Sequence, residues 1–136
     1  MLRRLVILTL FLSAEALAKE DYRDQPCKTP QLAPSCVRFH GRLVEAEGHP
    51  SYRLWQMGTR HIYGIFSNRY GLAHDVETLD SEGPTLPPAV ESTRSKDGQI
   101  YEVFADFEVC PLEPHIPGHM QAACIASASH ITVPKE

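Results

Sequence analysis

The chain has 136 residues, of which 22% are charged and 43% hydrophobic, and its formal net charge is −4 at pH 7. A mildly acidic protein has no overall attraction to nucleic acid, so the charge argues against a nucleic-acid-binding protein. The length fits one domain with a modest core, because a chain of this size buries roughly two-thirds of its unfolded surface.

Residues 1–18 have the features of a secretory signal peptide. Arg3 and Arg4 give a positive start, and the apolar stretch 5–12 is too short to span a bilayer. The Ala-Leu-Ala sequence that follows has the small-x-small form that signal peptidase cleaves. We therefore expect a single domain of residues 19–136 that is periplasmic or secreted and has no transmembrane segment. An uncleaved N-terminal anchor is the alternative.

The chain contains four cysteines, which in an exported protein predict disulfide bonds. The pairs Cys27–Cys36 and Cys110–Cys124 are favoured, because each encloses a short segment rich in turn residues. Cross-pairing of the two N-terminal cysteines with the two C-terminal ones is the alternative. The thiols lack C-x-x-C spacing, which argues against a thioredoxin-like redox protein.

The first half of the domain contains three runs with β character, at 37–43, 52–57 and 61–66. Apolar and polar residues alternate along them, and short breaks rich in glycine separate them. This pattern predicts an antiparallel meander of three strands. Gly41 and Gly64 lie inside the runs, and each indicates either a bulge of a closing barrel or a position without a side chain.

Residues 67–98 form a long connection in which the pattern weakens, with room for one short helical turn. Such a loop is often either functional or mobile. Four acidic residues cluster in it: Asp75, Glu77, Asp80 and Glu82. They lack the spacing of an EF-hand loop, so a solvated acidic loop is favoured over a calcium site.

The second half of the domain begins with the clearest strand pattern, at 99–109. Phe104 is the one apolar exception on its polar face. Prolines and a glycine at 111–118 predict a loop. Residues 120–133 predict one bent strand or two short ones, and a helix over 121–129 is the alternative because alanine favours it.

Together these runs predict an all-β domain with five or six strands. Its length and strand count fit a small antiparallel barrel of the OB type, and a β-sandwich is the alternative.

Two blocks of sequence carry a resemblance. The first consists of HGRL from His40, RLW from Arg53, GTR from Gly58, and Gly64. The second consists of FADFEVCP from Phe104, PGHMQ from Pro117, and Cys124. Together they resemble a group of small, exported, uncharacterised bacterial proteins, over most of the domain outside 67–98. The resemblance implies export and a Cys110–Cys124 disulfide, and it implies no activity.

A divalent metal is the first candidate ligand, at Glu113, His115 and His119. Imidazole and carboxylate groups are ordinary zinc or copper ligands. The H-x-x-x-H spacing would suit one face of a helix, but Pro114 and Pro117 argue against a helix here. Two imidazoles in a loop could still converge, and the alternative is an exposed proline-rich turn with incidental histidines.

The second candidate is a binding face that contains Arg42, Arg53, Trp55 and Arg60. Arginine and aromatic side chains on a barrel face hold a polyanion or a sugar by charge pairing and stacking. An envelope polysaccharide or another exported protein is the expected partner. The favoured interpretation of these residues, however, places the tryptophan in the core and the arginines on a solvated face.

Catalytic motifs are absent from the sequence: there is no G-x-S-x-G, H-E-x-x-H or P-loop. His40, His74 with Asp75, and several serines are the residues from which a catalytic triad could be assembled, so a small hydrolase is the last alternative. The favoured interpretation is a non-enzymatic, exported binding or structural module stapled by disulfides, without a cofactor. A metal-binding protein is the first alternative.

Overall fold

The computed structural model describes residues 26–68 and 83–135. The signal peptide, His74 and the acidic cluster at 75–82 lie outside these residues, so their predictions stay predictions.

In the described residues, five strands close into one barrel: β1 (Val37–Glu45), β2 (Tyr52–Gln56), β3 (Ile62–Ile65), β4 (Val103–Pro111) and β5 (Gln121–Thr132). The strand order is β1-β2-β3-β5-β4, and β4 returns to pair with β1. The predicted all-β, OB-like barrel is confirmed, and the sandwich alternative is wrong.

One pair of neighbouring strands departs from the predicted antiparallel arrangement. β3 and β5 run parallel, whereas the other four pairs are antiparallel. The reason is geometric, because strand directions cannot alternate all the way around a closed ring with an odd number of members.

The bend predicted near residues 120–133 lies within a single strand, and the helix alternative there is wrong. β5 extends over 12 residues, and its register with β4 shifts twice, between Phe104 and Asp106 and between Glu108 and Val109. These irregularities bend the strand around the barrel.

The two glycines inside strands, Gly41 and Gly64, do not mark bulges. Each is present because a neighbouring side chain packs closely against it. A Cβ atom on Gly41 would lie 2.9 Å from Leu54 Cδ1, and one on Gly64 would lie 2.6 Å from Pro50 Cγ. Neither position has room for a side chain. The irregularities of the sheet lie elsewhere, in the β4–β5 pair.

Alternate residues of the strands fill the barrel with apolar side chains that are at most 1% exposed: Leu43, Leu54, Ile65, Val103, Phe107 and Val109. The connection from β3 to β4 contains a one-turn helix, α1 (Pro88–Glu91), which adds the fully buried Val90 to this core. Arg94 follows α1, and its Nη1 donates to Tyr52 Oη at 2.9 Å, which fixes the connection to β2.

The disulfides correct the favoured pairing. Cys27 bonds to Cys124 and Cys36 bonds to Cys110, so the cross-pairing alternative is right. Residues 27–36 lie against β4 instead of folding back on themselves, and Lys28 Nζ donates to the Glu108 carboxylate at 3.2 Å. Each cysteine of this segment therefore meets a strand of the barrel. Two disulfides in a small β domain are compatible with an exported protein.

Candidate functional site

Arg42, Trp55 and Ile62 form a row across the outer side of β1, β2 and β3. Arg42 is the register partner of Trp55, and Trp55 is the register partner of Ile62. Directly opposite residues project to the same side of a sheet, so the three side chains are neighbours on the surface. Trp55 is 37% exposed and Ile62 is 41% exposed. The favoured prediction, which placed the tryptophan in the core, is therefore wrong.

The indole of Trp55 is held in one orientation. Its Nε1 donates to the Thr59 carbonyl oxygen at 2.6 Å, across the turn that follows β2. Thr59 Oγ1 in turn donates to the Gln56 carbonyl oxygen at 2.8 Å, so the turn itself is fixed. A flat apolar ring is thus presented to solvent with little freedom left to lose on binding.

The three predicted arginines have different surroundings. Arg42 donates through Nε to Glu102 Oε2 at 2.7 Å, so its charge is partly neutralised. Arg53 lies on the same side of β2 as Trp55 and donates through Nη2 to the Glu47 carbonyl oxygen at 3.3 Å. The Nε of Arg53 is buried and has no hydrogen-bond partner within the described residues. Arg60 is exposed in the turn after β2. Their role in binding stays a prediction.

Two loops border this face, one between β1 and β2 and one between β4 and β5. Pro50 from the first and Met120 from the second meet over Gly64, at 2.6 Å and 3.0 Å from a Cβ built there. Phe66, just after β3, packs edge-on against the ring of His49 with centroids 5.7 Å apart. The loops therefore meet above a strand position that only glycine can occupy.

The predicted metal ligands do not converge. Glu113 Oε1 accepts a hydrogen bond from the Ala122 N–H at 2.7 Å, and the His115 ring stacks on His61 with centroids 4.1 Å apart. The N–H of His119 donates to the Ile116 carbonyl oxygen in a tight turn. Across residues 26–68 and 83–135, no three His, Cys, Asp or Glu side chains are arranged to hold a metal ion.

Sequence reasoning missed a column of stacked rings that connects the barrel to the β4–β5 loop. Phe39 stacks on Tyr63 at 5.4 Å, Tyr63 on His61 at 4.1 Å, and His61 on His115 at 4.1 Å between centroids. Burial lowers the pKa of His61, and its hydrogen bond with Gln121 opposes that effect. The only sign of this column in the sequence is that His61 and Tyr63 are two residues apart, because alternate residues of a strand lie on the same face.

A second missed cluster lies on the outer side of β1, β4 and β5. The Asp106 carboxylate binds His40 Nδ1 through one oxygen at 2.9 Å and His130 Nδ1 through the other at 3.0 Å. The hydrogen bond from His40 is the main reason that the pKa of Asp106 lies below its ordinary value. His130 has a positive φ of 51° next to a register shift. Regular strand alternation therefore does not predict the direction of its side chain.

No family model, no curated protein and no solved structure matched this chain. Its site is therefore interpreted from its own chemistry. A search of the described residues for a helix long and apolar enough to cross a bilayer found none.

Proposed function

We propose that this protein is an exported, disulfide-stapled binding module that holds an acidic polysaccharide on the outer face of β2 and β3. One observation carries the proposal: Trp55 is exposed, oriented, and flanked by Arg42 on the next strand and Arg53 on its own. The leader-like start of the chain, the two disulfides and the resemblance to small exported proteins support export.

The chemistry of this face suits a sugar polymer with carboxylate groups. The apolar face of a pyranose ring packs on an indole, and arginine forms forked hydrogen bonds with carboxylates. The same face and its two bordering loops are where barrels of the OB type bind oligosaccharides and oligonucleotides. The position of Trp55 therefore agrees with the architecture.

A nucleic-acid ligand is disfavoured by the number of stacking rings on this face. Single-stranded nucleic acids are held by several aromatic platforms along a positive groove. In the part of the chain that the structure describes, the outward row across β1, β2 and β3 contains one aromatic ring, that of Trp55. An exported protein is the other candidate partner, and the titration below tests for the polysaccharide first.

Trp55 is the only tryptophan, so its fluorescence reports directly on this face. We expect a saturable spectral change on titration with a polyuronate at low salt and none with neutral dextran. Added salt should weaken the binding, because exposed charges are screened. Binding without any change in Trp55 fluorescence would place the ligand elsewhere. No binding of polyuronate would reject the proposal and leave an exported protein as the remaining candidate partner.

The Trp55→Ala variant, measured by calorimetry, should lose at least about fivefold in affinity, equivalent to ~1 kcal/mol. The matched control is Tyr101→Ala, which removes an exposed aromatic ring from the segment before β4. That variant should bind polyuronate as the unaltered protein does. Equal losses in both variants would show that the effect is not specific to this face.

A further inference from the structure

Cys36, Cys110 and Cys124 lie in one row across β1, β4 and β5. The register that pairs Val37 with Val109 continues to Cys36 and Cys110, whose Cα atoms are 4.1 Å apart. Cys110 and Cys124 are direct register partners in the β4–β5 pair. Because register partners project to the same side of a sheet, the three cysteines share one side, with Cys110 in the middle.

Cys110 therefore has two neighbours with which it can form a disulfide. Register partners in an antiparallel pair have Cα atoms roughly 4.5–5.5 Å apart, which lies within the range that a disulfide spans. In this structure Cys110 is bonded to Cys36, and Cys124 is bonded to Cys27 from the segment that crosses β4. Cys124 Sγ lies 3.7 Å from the Cys110 carbonyl oxygen, so the sulfur of one disulfide contacts the backbone of a cysteine in the other.

The four cysteines differ in their access to solvent. Cys110 and Cys124 are 0% and 1% exposed, whereas Cys27 and Cys36, their bonded partners, are half-buried. An external thiolate therefore reaches the Cys27–Cys124 bond at Cys27, and the thiolate that leaves is the buried Cys124, beside Cys110.

We propose that this row is a site of thiol–disulfide exchange that responds to a small external thiol. The external thiolate attacks Cys27, forms a mixed disulfide with it and releases the Cys124 thiolate. Cys124 attacks Cys110, forms the Cys110–Cys124 bond and releases the Cys36 thiolate. Cys36 then attacks Cys27, forms the Cys27–Cys36 bond and returns the external thiolate. Each step breaks one S–S bond and makes one, so no net oxidant or reductant is consumed.

The exchange changes what is tied to the barrel. In the structure both disulfides attach residues 27–36 to strands, with sequence separations of 97 and 74 residues. In the exchanged form both bonds close local loops, and the 27–36 segment has no covalent connection to β4 or β5. A thiol thus removes both disulfides between the 27–36 segment and the barrel strands. The segment is then held by non-covalent contacts such as the Lys28–Glu108 ion pair.

The Cys27→Ser variant tests the central step by leaving Cys124 as a free thiol beside the Cys36–Cys110 bond. After incubation at mildly alkaline pH, alkylation and peptide mapping should show the label shifting with time from Cys124 to Cys36, together with a new Cys110–Cys124 peptide. The matched control combines Cys27→Ser with Cys124→Ser and has no free thiol. It should take up no label, and its Cys36–Cys110 bond should stay intact.

Label that stays on Cys124 in the Cys27→Ser variant, with Cys36–Cys110 unchanged, would overturn the proposal. A second measurement needs no variant and so does not depend on the folding of one. The unaltered, oxidised protein is incubated with a catalytic amount of reduced glutathione and then mapped. A Cys110–Cys124 peptide is expected, and its absence while the Cys27–Cys124 bond opens would equally overturn the proposal.

Discussion

Two outward faces of the same barrel differ in how their side chains are satisfied. On the β1–β4 face, outward residues pair with one another across the strands: Arg38 with Glu108, His40 with Asp106, and Arg42 with Glu102. On the β2–β3 face, Trp55 and Ile62 are exposed beside each other. Both faces follow the same alternation along their strands, so alternation alone does not distinguish them.

The β2–β3 face is therefore the part of this barrel surface with groups available to a ligand. Surface ion pairs satisfy each other and contribute little beyond that, typically below 1 kcal/mol. An exposed indole with an arginine on each side has apolar area and hydrogen-bond donors left to offer. Arg42 belongs to both faces, because it pairs with Glu102 and lies beside Trp55. Single substitutions on each face test this difference.

The largest effect is expected at Gly64, where the two bordering loops meet over β3. In Gly64→Ala the new Cβ would lie 2.6 Å from Pro50 Cγ and 3.0 Å from Met120 Sδ, so the loops must move. Overpacking of this kind costs about 1–3 kcal/mol. Urea unfolding followed by Trp55 fluorescence measures the loss. Ser127→Ala, at an exposed position of β5, is the control and should change stability by less than about 0.5 kcal/mol. A similar result at both positions would contradict the crowding seen at Gly64.

A smaller effect is expected on the paired face, at Glu108. Its side chain is 10% exposed and binds Arg38 and Lys28. The hydrogen bond from Arg38 is the main cause that lowers its pKa below the ordinary value of 4.5. A lowered carboxylate pKa gives stability that is present above pH 4.5 and is lost as the pH falls through the folded-state value.

Glu108→Gln should therefore destabilise the protein by about 1 kcal/mol at pH 7 and by progressively less below pH 4.5. Thermal unfolding at a series of pH values measures this difference. The exposed Glu47→Gln serves as the control and should give a curve parallel to that of the unaltered protein. A Glu108→Gln difference that is constant from pH 7 to pH 3 would show that the ion pairs are not its cause.

The smallest effect is expected where the faces meet, at Glu102. Glu102→Gln removes the charged partner of Arg42 and leaves that guanidinium free for a carboxylate ligand. We expect polyuronate to bind about two- to fivefold more tightly. The gain is limited to this size because one surface ion pair typically contributes less than about 1 kcal/mol. Asp97→Asn makes the same change in net charge at an exposed position after α1, and it serves as the control. Equal gains in both variants would indicate a general charge effect instead of the release of Arg42.

Much of the fold could be predicted because strand alternation is a local signal. Runs such as Tyr52–Met57 and Gln99–Val109 reveal a pleated, half-buried surface without any knowledge of their neighbours. Register is not local, and the missed features depend on it. His40 and Asp106 are 66 residues apart and meet only because β1 and β4 close the barrel.

The error in the disulfides has the same origin. Cys110 and Cys124 are direct register partners, so the pairing favoured from the sequence is sterically reasonable. Nothing in the local sequence shows that Cys36 enters the same row from β1. For Trp55, alternation correctly placed it on the side of Arg53, but both sides of β2 carry large apolar residues. The pattern did not show which side of β2 faces the core. In the structure Leu54 is fully buried, so the Leu54 side faces inward and the Trp55 side faces outward.

The two disulfides lie on one side of the barrel. They join the 27–36 segment to β4 and β5, and the start of β1 to β4. Neither of them reaches β2 or β3, which are held to the barrel by strand hydrogen bonds with β1 and β5 and by the burial of Leu54 and Ile65 in the core. Opening or exchange of either disulfide therefore alters no covalent bond in the hairpin that carries Trp55.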